Sequence, residues 1–180
     1  MKRILIALLV AMMPVLASAQ VLQKAAQRME IMTLESGDDN FTATEYEVFQ
    51  MNDDGSYWLS VGHLGIGGDL VQLQFDPVYE LFIPLGDTID GAIEKMKDLR
   101  DFAKKPRLST MEVQGCLAVA YPSENTEPVT LTARRLLGSR LVEFSVKRDD
   151  FVRATYLSKS DLGTLLTGLK VHKKLHPKAK

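Results

Sequence analysis

Between residues 42 and 85 the polar and apolar positions fall into short alternating runs. Thr42 to Met51 is rich in Thr, Tyr, Val and Phe before Asn52-Asp53-Asp54-Gly55 interrupts it. Tyr57, Leu59 and Val61 alternate with Trp58, Ser60 and Gly62, and Val71, Leu73 and Phe75 with Gln72 and Gln74. A period of two is the mark of half-buried strands. Asp76-Pro77 breaks the series, and Tyr79, Leu81 and Ile83 begin another strand. Upstream, Val21 to Leu34 reads either way. Val21, Leu22, Ala25, Ala26 and Met29 suit a helix, whereas Met29, Ile31 and Thr33 suit a strand.

The period then lengthens. Ile89, Ala92, Ile93, Met96, Leu99 and Phe102 form one apolar stripe at helical spacing, predicting a helix over about Thr88 to Lys104. Asp87 is the expected N-cap, Asp90 adds a favourable charge to the first turn, and Pro106 stops the helix. Alternation returns in Met111 to Tyr121, then Val129, Leu131 and Ala133, then Val142, Phe144 and Val146, and finally Val152, Ala154 and Tyr156. A second helix starts near Ser160 and carries Leu162, Leu165, Leu166 and Leu169; Ser158 and Asp161 have the spacing of a capping box.

A shift of 73 residues takes Ile89, Ala92, Ile93 and Met96 onto Leu162, Leu165, Leu166 and Leu169. It also takes Tyr79, Leu81 and Ile83 onto Val152, Ala154 and Tyr156, and Val71 and Leu73 onto Phe144 and Val146. The expected fold is therefore α+β: an antiparallel sheet built from two strand-rich units, each ending in an amphipathic helix packed on the sheet. The units span about 28–105 and 107–173, ahead of a basic tail at 173–180.

Residues 1–19 stand apart. Lys2 and Arg3 precede an apolar run, and Ala17-Ser18-Ala19 fits a small-x-small cleavage site, so a signal peptide is expected with the mature domain at 20–180. The mature chain holds no other stretch able to span a bilayer. Cys116 is the only cysteine, which argues against a disulfide-stapled extracellular scaffold and for the periplasm or cell surface of a Gram-negative bacterium.

Net charge changes the picture once it is divided. The whole chain carries −1, but residues 20–130 hold 8 basic and 19 acidic residues and residues 131–180 hold 12 basic and 4 acidic ones. Such asymmetry marks either a partner surface or two halves that complement each other. Arg134, Lys147 and Arg153 lie out of phase with the apolar residues of their strands, among Thr130, Thr132, Ser145 and Thr155. Arg134, Lys147, Arg153, Thr132 and Ser145 are therefore the candidate binding residues of a cationic, hydroxyl-rich sheet face.

Other candidates reduce to structure. Gly62-His63-Leu64-Gly65-Ile66-Gly67-Gly68-Asp69-Leu70 lacks the third glycine of a dinucleotide fingerprint and precedes a strand, so it reads as a hairpin turning at Gly67-Gly68. His172 and His176 are one helical turn apart, yet the HKKLH stretch lacks the glutamate of the zinc-protease motif; a helix end facing its dipole explains it. His63 reads as a strand-end residue. Asp38-Asp39, Asp53-Asp54 and Asp149-Asp150 fit turns rather than a calcium loop, and Cys116 a lone, partly buried thiol. No cofactor, metal or catalytic constellation is expected. Export and the lack of interleaved aromatics disfavour nucleic acid. The leading expectation is an exported, non-enzymatic interaction module that engages an envelope protein, an anionic glycan or a lipid headgroup through its basic second half. The alternatives are a periplasmic carrier of an apolar small molecule or lipid, with Met96 on the inner helix stripe, and a hydrolase without a recognisable motif.

Overall fold

A computed structural model describes residues 27–36, 44–63, 80–118, 121–123, 125–148 and 151–177. Among these, eight strands and two helices follow in the order β1 (Arg28–Ser36), β2 (Thr44–Met51), β3 (Tyr57–His63), β4 (Glu80–Gly86), α1 (Ile89–Phe102), β5 (Thr110–Ala118), β6 (Glu127–Leu136), β7 (Ser139–Arg148), β8 (Phe151–Ser158) and α2 (Lys159–Leu175). The strands form one antiparallel sheet whose spatial order is the chain order. The ambiguous segment resolves as strand from Arg28 onward. The expected strand over Val71–Phe75, the turn at Gly67-Gly68 and the leader at 1–19 lie outside the described residues.

The α+β class stands, with one sheet and two helices. The 73-residue shift carries β4 and α1 onto β8 and α2, but it sets β3 against β6 rather than β7. The matching of Val71 and Leu73 onto Phe144 and Val146 lies outside the described residues.

Both helices begin where local chemistry offers a cap. Thr88, not Asp87, caps α1: its hydroxyl accepts from Gly91 N at 3.1 Å. Asp90 still places its charge in the first turn. Ser158 caps α2 with the expected capping box, Asp161 N donating to its hydroxyl and Ser158 N to the Asp161 carboxylate. The α1 stripe buries Ile89, Ala92, Met96, Leu99 and Phe102; full burial of a large apolar side chain such as Leu99 contributes about 1.5–3 kcal/mol.

The sheet curls so that its ends meet. Tyr46 in β2 donates its hydroxyl to the Tyr156 carbonyl at 2.9 Å, and Thr155 in β8 donates to the Val61 carbonyl at 3.3 Å. Helix α2 packs on β1, where Gly168 lies so close to Met32 that an added methyl would sit 2.7 Å from its Cβ. Lys173 of α2 pairs with Asp90 of α1. One continuous core results, running from Val48 and Leu59 through Met96 and Leu131 to Phe144, Leu157 and Leu166.

A second buried cluster lies on the other face of the sheet. Phe49 meets Phe82 edge-on at 6.0 Å between ring centroids, with Met51 and Cys116 beside them. Cys116 is thus fully buried rather than partly so, and burial pushes its thiol pKa up. Arg28 lies 4.4 Å above the Phe49 ring and pairs with Glu47, which lets a buried guanidinium sit against an apolar cluster.

Candidate functional site

Strands β6, β7 and β8 are neighbours, as the expected cationic face requires. Opposite residues of an antiparallel pair share a face. Ala133 faces Val142, Leu131 faces Phe144 and Val142 faces Leu157, which defines the core side. Thr132 faces Glu143, which faces Tyr156, so Thr130, Thr132, Arg134, Ser145 and Lys147 belong to the other side.

For Arg153 the backbone register alone is described. The register sets it opposite Val146, in the phase of buried Thr155 and Leu157. The apolar phase of β8 is the reverse of the expected one. Tyr156 is half-exposed, and Leu157 is the strand's buried anchor. A tyrosine carries both an apolar ring and a polar tip, so alternation through it can be read in either phase.

Of the residues that do share the outer face, Arg134 is already engaged. Its guanidinium makes two bonds to Glu143, at 3.0 and 2.9 Å, and the Tyr156 hydroxyl hydrogen-bonds the same carboxylate. Burial alone would raise the Glu143 pKa, but the bonds from Arg134 and Tyr156, with the arginine charge, bring it below the usual carboxylate range. The same carboxylate pushes the Tyr156 hydroxyl pKa up. Ser145 donates to the Thr130 carbonyl at 3.1 Å, and Thr132 is buried. Of the candidate residues on this face, Lys147 is the exposed one. On this face Arg134, Glu143 and Tyr156 form one network.

Two exposed arginines meet at one end of these strands instead. β6 and β7 are joined by Leu137 and Gly138, with φ of 48° and 84°, the mirror-image turn that suits the twist of a hairpin. One residue behind the closing pair Leu136 and Ser139, Arg135 stands directly opposite Arg140, and both are exposed. Neither meets a carboxylate among the described residues. Arg140 lines an open depression of about 470 Å³ with Ser139, Ser158, Lys159 and Ser160. Known proteins offer no guide to it. No family model matches the chain, and no curated protein or solved structure matches it either.

This end was not among the sequence candidates, because the alternating pattern of β6 and β7 drew attention to the residues between the apolar ones. The signal lay in the turn: two consecutive leucines before a glycine, flanked by arginines, where polar turn residues are the rule.

Elsewhere the polar groups serve the fold. Asp54 accepts from Ser56 N at 2.8 Å and Asp53 from Asp54 N at 2.9 Å, around Gly55 at φ 76°, so this acidic pair is turn chemistry. Asp38-Asp39 and Asp149-Asp150 lie outside the described residues. Gly62 adopts φ 74° where the β3–β4 register shifts, a left-handed position that favours glycine in a bulge. A small depression on the outer face of β2–β4 is lined by Glu45, Glu47, Ser60, Gly62 and Glu80, with the Ser60 hydroxyl 3.3 Å from Glu80. His172 is buried on α2 with its ring 4.6 Å from that of His176. Among the described residues no group of three His, Cys, Asp or Glu could hold a metal ion, and no helix is long and apolar enough to cross a membrane.

Proposed function

We propose that this protein is an exported, non-enzymatic interaction module that engages an anionic component of the bacterial cell envelope through the basic end of its second half. The observation that carries the reading is Arg135 opposite Arg140, with Lys159 around the adjoining depression. Like charges directly opposite on a sheet destabilise the pair, and an anion seated against them relieves that repulsion. Ser139 and Ser158 add hydroxyl donors at the rim. Export is supported by the leader pattern at 1–19. The binding set named from the sequence contracts accordingly: Lys147 remains a peripheral contributor, while Arg134, Thr132 and Ser145 act in the network that stiffens β6–β7 behind the site.

Retention on a dextran sulfate matrix tests the reading. Parent protein elutes progressively earlier as salt rises, because exposed charges are screened over about 8 Å at physiological ionic strength. Arg135→Glu with Arg140→Glu abolishes retention, whereas Lys147→Gln weakens it slightly. Retention unaffected by the double reversal would overturn the proposal. A companion reading treats β4–α1 and β8–α2 as equivalent strand–helix ends of two units; their common shift of 73 residues supports it.

A further inference from the structure

The two leucines at the tip of this basic end lie in an unusual environment. Leu137 is 98% exposed and Leu136 62% exposed. Leu137 also sits at φ 48°, in the left-handed region that a leucine occupies only at a cost and that Asn or Gly fills readily. A residue chosen for the fold alone would be neither apolar nor strained here. Leu108 repeats the combination, with φ 69° and 56% exposure. Its N–H bonds the Ala133 carbonyl at 2.8 Å, which fixes it beside β6 about 10 Å behind the tip, three residues at strand rise. Leu108 and Leu137 are the only non-glycine residues with positive φ among those described.

We propose that the β6–β7 tip docks onto an anionic lipid bilayer, with Leu136 and Leu137 entering the acyl boundary and Arg135, Arg140 and Lys159 meeting the headgroup phosphates. The inference rests on the reading of this end as the binding surface and names its partner. Three observations favour a bilayer over a folded protein. First, the tip is a projecting two-residue turn, whereas a stable protein interface needs about 800 Å² from each partner. Second, its apolar residues are leucines, which are under-represented at protein hot spots, where Trp, Tyr and Arg prevail. Third, the spacing matches an interface. The arginines lie about 7 Å behind the tip, and interfacial segments bury their apolar side about 5–10 Å into the headgroup and acyl boundary.

Charge complementarity fixes the class of lipid and the orientation. Residues 131–180 carry 12 basic and 4 acidic side chains. Of the carboxylates near the tip, Glu143 is held by Arg134 and Asp161 is bound in the α2 capping box. Arg107, also exposed, precedes Leu108 in the chain. An anionic surface attracts each such side chain, while the acidic first half is repelled and faces away.

The test is cosedimentation of the exported, purified protein with vesicles of phosphatidylcholine, with and without phosphatidylglycerol. Parent and variants carry the same N-terminus. The parent is expected to bind only when phosphatidylglycerol is present. Leu137→Asn, alone or with Leu136→Ser, should weaken vesicle binding on the order of tenfold while leaving dextran sulfate retention unchanged. Leu137→Asn should also raise the melting temperature by a few degrees, since it relieves the strained turn, so loss of binding cannot be loss of fold. Leu137→Trp should add a fluorescence component that moves to shorter wavelength with phosphatidylglycerol vesicles. Vesicle binding that the leucine variants do not change, or that phosphatidylcholine alone supports equally, overturns the insertion while the polyanion reading stands. Absence of binding to both vesicles and dextran sulfate overturns both.

Discussion

His172 shows how one buried group sets a condition on the whole fold. Burial holds its pKa below the ordinary 6.5, the charge of His176 adds to the shift, and its Nε2 has no hydrogen-bond partner. The folded protein therefore takes up this proton at lower pH than the unfolded chain. By linkage, the neutral imidazole's full contribution is present above the ordinary histidine range and is lost as pH falls through 6.5 toward the depressed value. The melting temperature should fall between about pH 7.5 and about pH 5.5, and His172→Gln should flatten that slope. An unchanged slope in the variant would assign the titration to another group. The sequence revealed the helix-end position of His172 and His176 but not the burial of one and exposure of the other. That depends on which helix face meets β1, a tertiary fact.

At the scale of elements, alternation and helical spacing located both helices and most of the strands described. The capping box at Ser158 was legible because its partners are three residues apart. The cap of α1 was not, because Asp87 and Thr88 are both good caps and the turn leaving β4 decides between them. The phase of β8 was misread at Tyr156, where Leu157 is the buried residue. The second cluster around Phe49 and Phe82 was hidden because both residues occupy positions that alternation marks as outward. Close approach is equally invisible along the chain. Gly115 in β5 has room for no side chain: an added methyl would lie 2.6 Å from Val129 Cγ2, 2.9 Å from Ile83 Cδ1 and 3.0 Å from the Phe82 carbonyl oxygen. Gly115→Ala should destabilise the protein by about 1–3 kcal/mol in urea unfolding, through overpacking where β4, β5 and β6 meet. A neutral result would mean that β5 shifts freely there.

For the whole molecule, the seam between the sheet's ends is what makes one core of two series of strands. Tyr46 and Tyr156 are 110 residues apart, and Val61 and Thr155 are 94 apart. Tyr46→Phe removes the hydroxyl and leaves the Tyr156 carbonyl without that donor. It should cost about 1–2 kcal/mol, measured by chemical denaturation, with the slope of the transition unchanged. A shallower or biphasic transition would show that the seam joins separately folding parts. The charge asymmetry was plain from composition, yet its usable portion was not. Arg134, prominent in the sequence, is bound to Glu143, while Arg135 and Arg140 become a pair only when β6 and β7 are in register.

The order of strands in the sheet has a consequence for assembly. Because each described strand lies beside its neighbour in the series, none of the described strands has to be threaded between two that are already joined. A chain emerging from its N-terminus can add one strand at a time to a growing edge, each finding its partner waiting. Only the last arrivals differ. β8 and α2 must travel back to β1, β2 and β3, and until they do Met32 and Tyr46 have no cover from α2 or β8. The slow, length-dependent event expected in folding is therefore the return of the C-terminal sixth of the chain, and a chain stalled before Lys159 is a sticky, unfinished sheet.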